Sequence, residues 1–150
     1  MWKSYVRRVA RRSFELVNQQ DYETFLAACT DDVHHRFGGT HALGGERHDK
    51  ATLRRWFHRL GAVAPTLRLV PVDIWVTGGP WHTTAVCRWY STGELPDGSP
   101  YRNHGVHIVR MRWGKAYEID ANEDSQAVAA GLQLWGAAGA AEALEPPITS

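Results

Sequence analysis

Apolar positions in the first sixty residues recur three and four apart, whereas beyond residue 66 they mostly alternate. That change of period divides the chain into helices followed by strands. Trp2, Tyr5, Val6, Val9, Leu16 and Val17 keep helical spacing and predict a helix over about residues 2–19. Arg7, Arg8, Arg11 and Arg12 fall mostly on its other face and read as a solvated surface. Asp21 is placed to cap a short second helix carrying Tyr22, Phe25 and Leu26, which Asp31-Asp32 ends. Residues 33–37 then read as a strand, and Gly38-Gly39 and Gly44-Gly45 bracket a loop. Asp49 caps a third helix with Leu53, Trp56, Phe57 and Leu60 at i, i+3, i+4 and i+7. Gly61 suits its C-terminal cap and Pro65 blocks its continuation.

Four strands are expected next, over residues 67–77, 82–90, 101–113 and 116–122. Pro71 marks a bulge or an edge in the first, because proline cannot donate to a ladder. Gly78-Gly79-Pro80 is a turn, residues 91–100 a polar loop, and Trp113-Gly114 or Gly114-Lys115 a two-residue hairpin turn. Asp124 can cap a last helix ending near Trp135. Residues 1–135 thus form one domain, and residues 136–150, rich in Ala and Gly, are expected to be a flexible tail. A long antiparallel sheet needs one face covered, and the N-terminal helices are the available cover. The class is α+β.

Composition narrows the partners more than the fold. With 150 residues, 43% hydrophobic and 22% charged, the chain has the size and balance of one globular domain. A formal net charge of +1 gives no electrostatic case for nucleic acid or a membrane surface. The arginines interrupt any signal-like apolar run near the N-terminus, so a cytoplasmic protein is expected. Cys29, read as part of the second helix, and Cys87, read as part of a strand, are expected to be buried free thiols.

Two stretches carry a family likeness. Leu16-Val17-Asn18-Gln19-Gln20-Asp21-Tyr22-Glu23-Thr24-Phe25-Leu26, with the following Asp31-Asp32-Val33-His34-His35-Arg36-Phe37, resembles the N-terminus of the nuclear transport factor 2-like superfamily. Residues 101–115 resemble its penultimate strand and hairpin, and Asp124 its last helix opening. The resemblance spans about residues 5–135 and looks most like SnoaL-like and ketosteroid isomerase-like domains. It implies a cone-shaped, curved, mixed but mainly antiparallel sheet wrapped around N-terminal helices, an apolar pocket, and a homodimer. It also implies cofactor-free acid–base chemistry on a small apolar ring compound of polyketide, steroid-like or terpenoid type. The alternative is a non-catalytic ligand-binding or dimerisation module. The family's acids do not carry over. Ser13 stands where ketosteroid isomerases have a tyrosine, and Phe37 where they have an aspartate base. Ala121 stands where epoxide hydrolases and SnoaL-like cyclases have an aspartate.

The candidate chemistry depends on which face of the last hairpin is inside. Either two-residue turn puts His107 opposite or diagonal to Asp120, a general base with its orienting partner, with Asn103, Glu118 and Asn122 on the same face. The other face then carries Val106, Ile108, Tyr117, Ile119 and Ala121, flanked by Arg102, His104 and Arg110, and the family resemblance points that face inward. One of His34 and His35 must also point inward. Catalytic candidates are therefore His35, His104, His107 and Asp120. Substrate-binding candidates are Phe37, Trp56, Arg88, Arg102, Val106, Ile108, Tyr117, Ile119 and Ala121. His34, His35, His41 and His48 match no common zinc spacing, so neither a metal nor a cofactor is expected.

Overall fold

A computed structural model describes all residues, 1–150. Its elements are α1 (Trp2–Asn18), α2 (Tyr22–Ala27), β1 (Cys29–Phe37), β2 (Gly45–Arg47), α3 (Lys50–Val63), β3 (Arg68–Gly79), β4 (His82–Glu94), β5 (Pro100–Arg112), β6 (Lys115–Glu123) and α4 (Ser125–Ala137). One six-stranded sheet runs in the order β2-β1-β6-β5-β4-β3. Only the β1–β6 pair is parallel. The fold is α+β with a mixed, mainly antiparallel sheet, as expected. Helix α1 packs against β3 and β4, and α3 against β1, so both cover one sheet face.

The caps act as the sequence predicts. The Asp21 carboxylate accepts from Thr24 N at 3.2 Å, and that of Asp49 from Thr52 N at 2.7 Å. The Asp124 carboxylate accepts from Gln126 N and Ala127 N at 3.1 and 3.2 Å. Each satisfies donors that a helix start leaves open. Asp49→Ala should cost about 1 kcal/mol of unfolding free energy, read by urea denaturation. A change below a few tenths would mean that water replaces the cap at no cost.

Several boundaries differ from expectation. Cys29 opens β1 rather than sitting in α2, because Asp31 and Asp32 are exposed strand residues and not a turn. The short strand β2 was not expected. It pairs with β1 through His35–Arg47 and Arg36–Glu46. Helix α3 passes Gly61 and stops at Val63. Gly61 serves packing instead, since a Cβ there would meet the Tyr22 hydroxyl at 2.5 Å. Strand β4 runs on to Glu94, which shortens the polar loop before β5. Pro71 does lie on an edge strand and beside a bulge, at the register shift between Pro71 and Asp73.

Where composition suggests a flexible tail, residues beyond α4 form a 3₁₀ turn (Ala141–Leu144) and then return across α3 to β2. Ala143 and Ile148 are buried there. Arg59 holds the return, donating to Glu142 Oε1 at 3.2 Å and to the Pro146 carbonyl at 2.7 Å. Two small apolar anchors and one buried guanidinium suffice to lay down a segment that lacks a helical stripe.

Candidate functional site

A cavity of about 150 Å³ lies between the inner sheet face and the helices, and 26 of its 32 lining residues are hydrophobic. That size matches a cavity that accommodates a single aromatic ring. Against such walls, the few polar groups stand out. They include His35 from β1, His107 from β5 and Glu123 from the end of β6.

Their positions follow from the ladder. The turn is Trp113-Gly114, with φ of 51° and 79°, and Arg112 pairs with Lys115 as the two-residue reading requires. The register then shifts: Met111 pairs with Ala116 but Arg110 pairs with Glu118, which leaves Tyr117 as an extra residue in β6. One extra residue moves every later β6 side chain to the other face. His107 therefore lies opposite Ala121, not Asp120. The His107–Asp120 dyad is not formed. Asp120 is on the outer face, where its Oδ1 accepts from Arg36 Nε at 2.8 Å. His107 is on the inner face with Ile119, Ala121 and Glu123.

His35 and His107 approach from the strands on either side of β6. On β6, Ile119 pairs with His35 and Ala121 with His107; Ala121 is fully buried, and its single methyl leaves room for the His107 ring. The His35 ring lies 4.5 Å from that of Trp56, tilted by 57°, and the His107 ring lies 5.4 Å from that of Trp89, tilted by 58°, and 5.8 Å edge-on to Phe14. The Nδ1 atom of each histidine is buried with no hydrogen-bond partner. Burial pushes His107 down to about 4, with slight opposition from Asp120. Burial, then the nearby Arg47 guanidinium, holds His35 well below the usual imidazole range. Both rings are neutral at pH 7, so each has one N–H to donate and one nitrogen to accept.

Glu123 was not singled out from the sequence, where it reads as a strand end beside a cap. It occupies the inner face two residues beyond Ala121, the next inward position of a period-two strand. Its Oε1 accepts from Ser125 Oγ at 2.8 Å, while its Oε2 is buried and unpartnered. Burial raises its carboxyl above the usual range, opposed by hydrogen bonds from Ser125 and the Gly38 backbone. Gly38 is needed for this approach: a Cβ there would lie 2.8 Å from both Glu123 Oε1 and Ser125 Oγ. Glu123 pairs with Gly105, so His107 is its diagonal neighbour, about 7–8 Å away along the ladder.

The other candidates divide between the two faces. Phe37, Trp56 and Ile119 line the cavity, and Ala121 lies buried on the same inner face. Arg88, Arg102, His104, Val106 and Ile108 belong to the outward set of β4 and β5, and Tyr117 is the bulge residue beneath Arg112. These six do not line the cavity. On β4 and β5 the inward set is instead Ala85, Cys87, Trp89 and Ser91, with Tyr101, Asn103, His107, Val109 and Met111. Ser13 reaches the cavity wall, but its hydroxyl donates to the Val9 carbonyl at 2.9 Å. Asn103 also lines it, and its amide is spent on Tyr101 Oη and the Asp124 carbonyl. Cys29 and Cys87 are free and buried, and burial pushes both thiols up to about 11, which leaves them unreactive at neutral pH.

The neutral histidines give stability a pH dependence. His107 is depressed when folded and near 6.5 when unfolded, so the unfolded chain takes up its proton first. Its contribution is complete above pH 6.5, declines as the pH falls, and levels off near pH 4. The expected loss is about 3 kcal/mol across that window, with His35 acting in the same direction. The difference between the unfolding curves of the wild type and His107→Gln isolates it from the carboxylates. If the two fall in parallel, His107 is not buried neutral.

The model of the SnoaL-like domain matches residues 10–119. Among solved structures, PrhC from Penicillium brasilianum NBRC 6234 is similar at a TM-score of 0.79 and 14% identity, over 97% of each chain. An NTF2-like protein of unknown function from Burkholderia pseudomallei K96243 is similar at 0.72 and 20% identity, over 83% of this chain and 95% of its own. TerC, co-crystallised with polyporic acid, is similar at 0.65 and 19% identity, over 87% of this chain and 97% of its own. No curated protein sequence matches. The match over most of the chain, and a fold shared with NTF2-like proteins, show that the chain belongs to the SnoaL-like domain family of the nuclear transport factor 2-like superfamily.

Proposed function

We propose that the cavity binds a small cyclic ketone or enol, of polyketide or terpenoid type, and that the protein moves a proton on it without a cofactor. The observation that carries this reading is the convergence of Glu123, His35 and His107 on an otherwise apolar cavity. The Glu123 carboxylate takes a proton from the carbon next to the ligand carbonyl. The neutral imidazoles donate N–H hydrogen bonds to the oxygen as it becomes an enolate. The proton then returns to another carbon in an isomerisation, or the enolate attacks a second carbonyl of the ligand in a cyclisation. A carboxyl raised above its usual range by burial is a stronger base than an exposed one, and a dry cavity strengthens each hydrogen bond to the oxygen. The cavity volume favours a small ligand over a four-ring steroid. The co-crystallisation of TerC with polyporic acid supports a small organic ligand in this fold.

The test is incubation with a panel of mono- and bicyclic ketones in D₂O, followed by proton NMR. The expected result is deuterium uptake at the carbon next to the carbonyl, faster than in buffer. Binding without uptake would favour a non-catalytic binder, a second reading supported by Ser13, Phe37 and Ala121 at positions where relatives carry acids or a tyrosine.

The outer face supports a homodimer. Trp75 is 53% exposed, Tyr90 46% and Val72 44%, beside the half-buried Val86, Val106 and Ile108. Exposed apolar side chains gathered on one sheet face in this way, around the Asp73–Arg88 ion pair, are consistent with an interaction site. Trp75→Arg should convert a dimer to a monomer in sedimentation, and a wild type that already sediments as a monomer would reject the pairing. No helix is long and apolar enough to cross a membrane. The two free thiols fit the reducing cytoplasm.

A further inference from the structure

On the sheet face away from the cavity, β1 and β2 bring together three side chains capable of holding a metal. His35 and Arg47 pair and are both buried, so the residues before and after them, His34, Glu46 and His48, point outward. Glu46 and His48 are two apart on one strand direction, and His48 lies one position beyond the register pair, beside His34. The two imidazoles stack at 4.3 Å with 12° between their planes. His34 Nε2 is 3.5 Å from Glu46 Oε1, is shielded from solvent, and has no hydrogen-bond partner. One ligating atom from each of the three residues lies within 4.8 Å of the others. Arg36 pairs across the ladder with Glu46, yet its guanidinium is held by Asp120 and Asn122, which leaves the Glu46 carboxylate to the histidines.

We infer that His34, Glu46 and His48 bind a late first-row divalent cation, with Zn²⁺ the best fit. Two imidazole nitrogens and one carboxylate oxygen suit a borderline ion. Ligands about 2.0–2.1 Å from a tetrahedral ion lie roughly 3.3 Å apart, close to the His34–Glu46 separation. His48 Nδ1 is 2.7 Å from the Ser150 main-chain oxygen. A donated Nδ1–H there fixes the tautomer that presents Nε2 as a ligand, the usual orienting contact of a metal-bound histidine. Ser150 also accepts from His48 N through its hydroxyl and donates to the Glu46 carbonyl through its N–H, so the ion would tie β1, β2 and the returning segment together. The cavity is on the other side of the sheet, which makes this a structural site with an open fourth position and not part of the proposed proton transfer.

The experiment is equilibrium dialysis of the full, untagged chain against Zn²⁺, with Co²⁺ absorption as a coordination probe. The expected result is one Zn²⁺ per chain, with affinity reduced about 10- to 100-fold or more in both His48→Ala and Glu46→Gln. His104→Ala, an exposed histidine outside the cluster, should bind as the wild type does. Zn²⁺ should also raise the melting temperature of the wild type and not that of His48→Ala. Substoichiometric uptake, or affinities unchanged in both cluster variants while circular dichroism shows them folded, would overturn the inference.

Discussion

Glu123→Gln should slow deuterium exchange into a bound cyclic ketone by about 10²–10⁴-fold while leaving ligand affinity nearly unchanged. The substitution keeps the shape and the hydrogen bond from Ser125 Oγ, but removes the only carboxylate among the residues that line the cavity. An amide cannot accept the proton, so the loss falls on the chemical step. Ketone binding rests on the apolar wall and on the N–H groups of His35 and His107, which the variant leaves in place. Stopped-flow binding and NMR exchange on the same sample separate the two. Equal loss of both would mean that Glu123 shapes the cavity and does not act on the ligand. Full exchange in the variant would move the proton transfer to another group.

Trp56→Ala should cost about 3–5 kcal/mol of stability, a large share of the roughly 5–15 kcal/mol that holds a domain of this size together. Trp56 joins the core to the site. Its indole N–H donates to the Leu43 carbonyl at 2.8 Å, and its ring meets His35, Phe37 and Phe57 within 5.4 Å. Its other role is electrostatic. Arg47 is fully buried with no carboxylate partner, and burial pushes it down to about 10. The Trp56 ring lies 5.3 Å from its guanidinium carbon and offers the negative face of the π system to that charge. Removing the ring leaves both a cavity and an uncompensated cation. Urea denaturation would read the sum, and Trp56→Phe, which keeps a ring face, should recover more than half of the loss. A cost near 1 kcal/mol would show that neither effect operates.

How far the sequence leads can be judged at particular residues. The three aspartate caps and the helical stripe of α3 are local, and the chain states them directly; the two-residue turn is local too, though the sequence leaves Trp113-Gly114 and Gly114-Lys115 both open. The inward choice of His35 over His34 is nearly as local, since Val33 and Phe37 flank it at two-residue spacing. The bulge at Tyr117 is different. No glycine or proline marks it; it lies in a strand that pairs with antiparallel β5 on one side and with parallel β1 on the other. That one residue separated His107 from Asp120, sent Val106 and Ile108 outward while Ile119 and Ala121 stayed inside, and turned Glu123 inward. The site was therefore half visible: His35, His107, Trp56 and Phe37 could be named, but the acid could not. Alternation along β6 is the signal that would have found it, because an inward Ala121 makes Glu123 inward too. The metal-capable trio was hidden for a similar reason: His34 joins Glu46 and His48 only through β2, a strand of three residues with no apolar alternation.

The most direct measurement is the long-range ¹H–¹⁵N NMR spectrum of the histidine rings, followed over pH with and without a bound cyclic ketone. His107 should stay neutral to below pH 5 and His35 to well below the ordinary imidazole value, and a ring N–H of each should shift when ligand enters while exposed His104 is unmoved. Rings that protonate near the ordinary imidazole value of about 6.5 and ignore the ligand would contradict the proposed function.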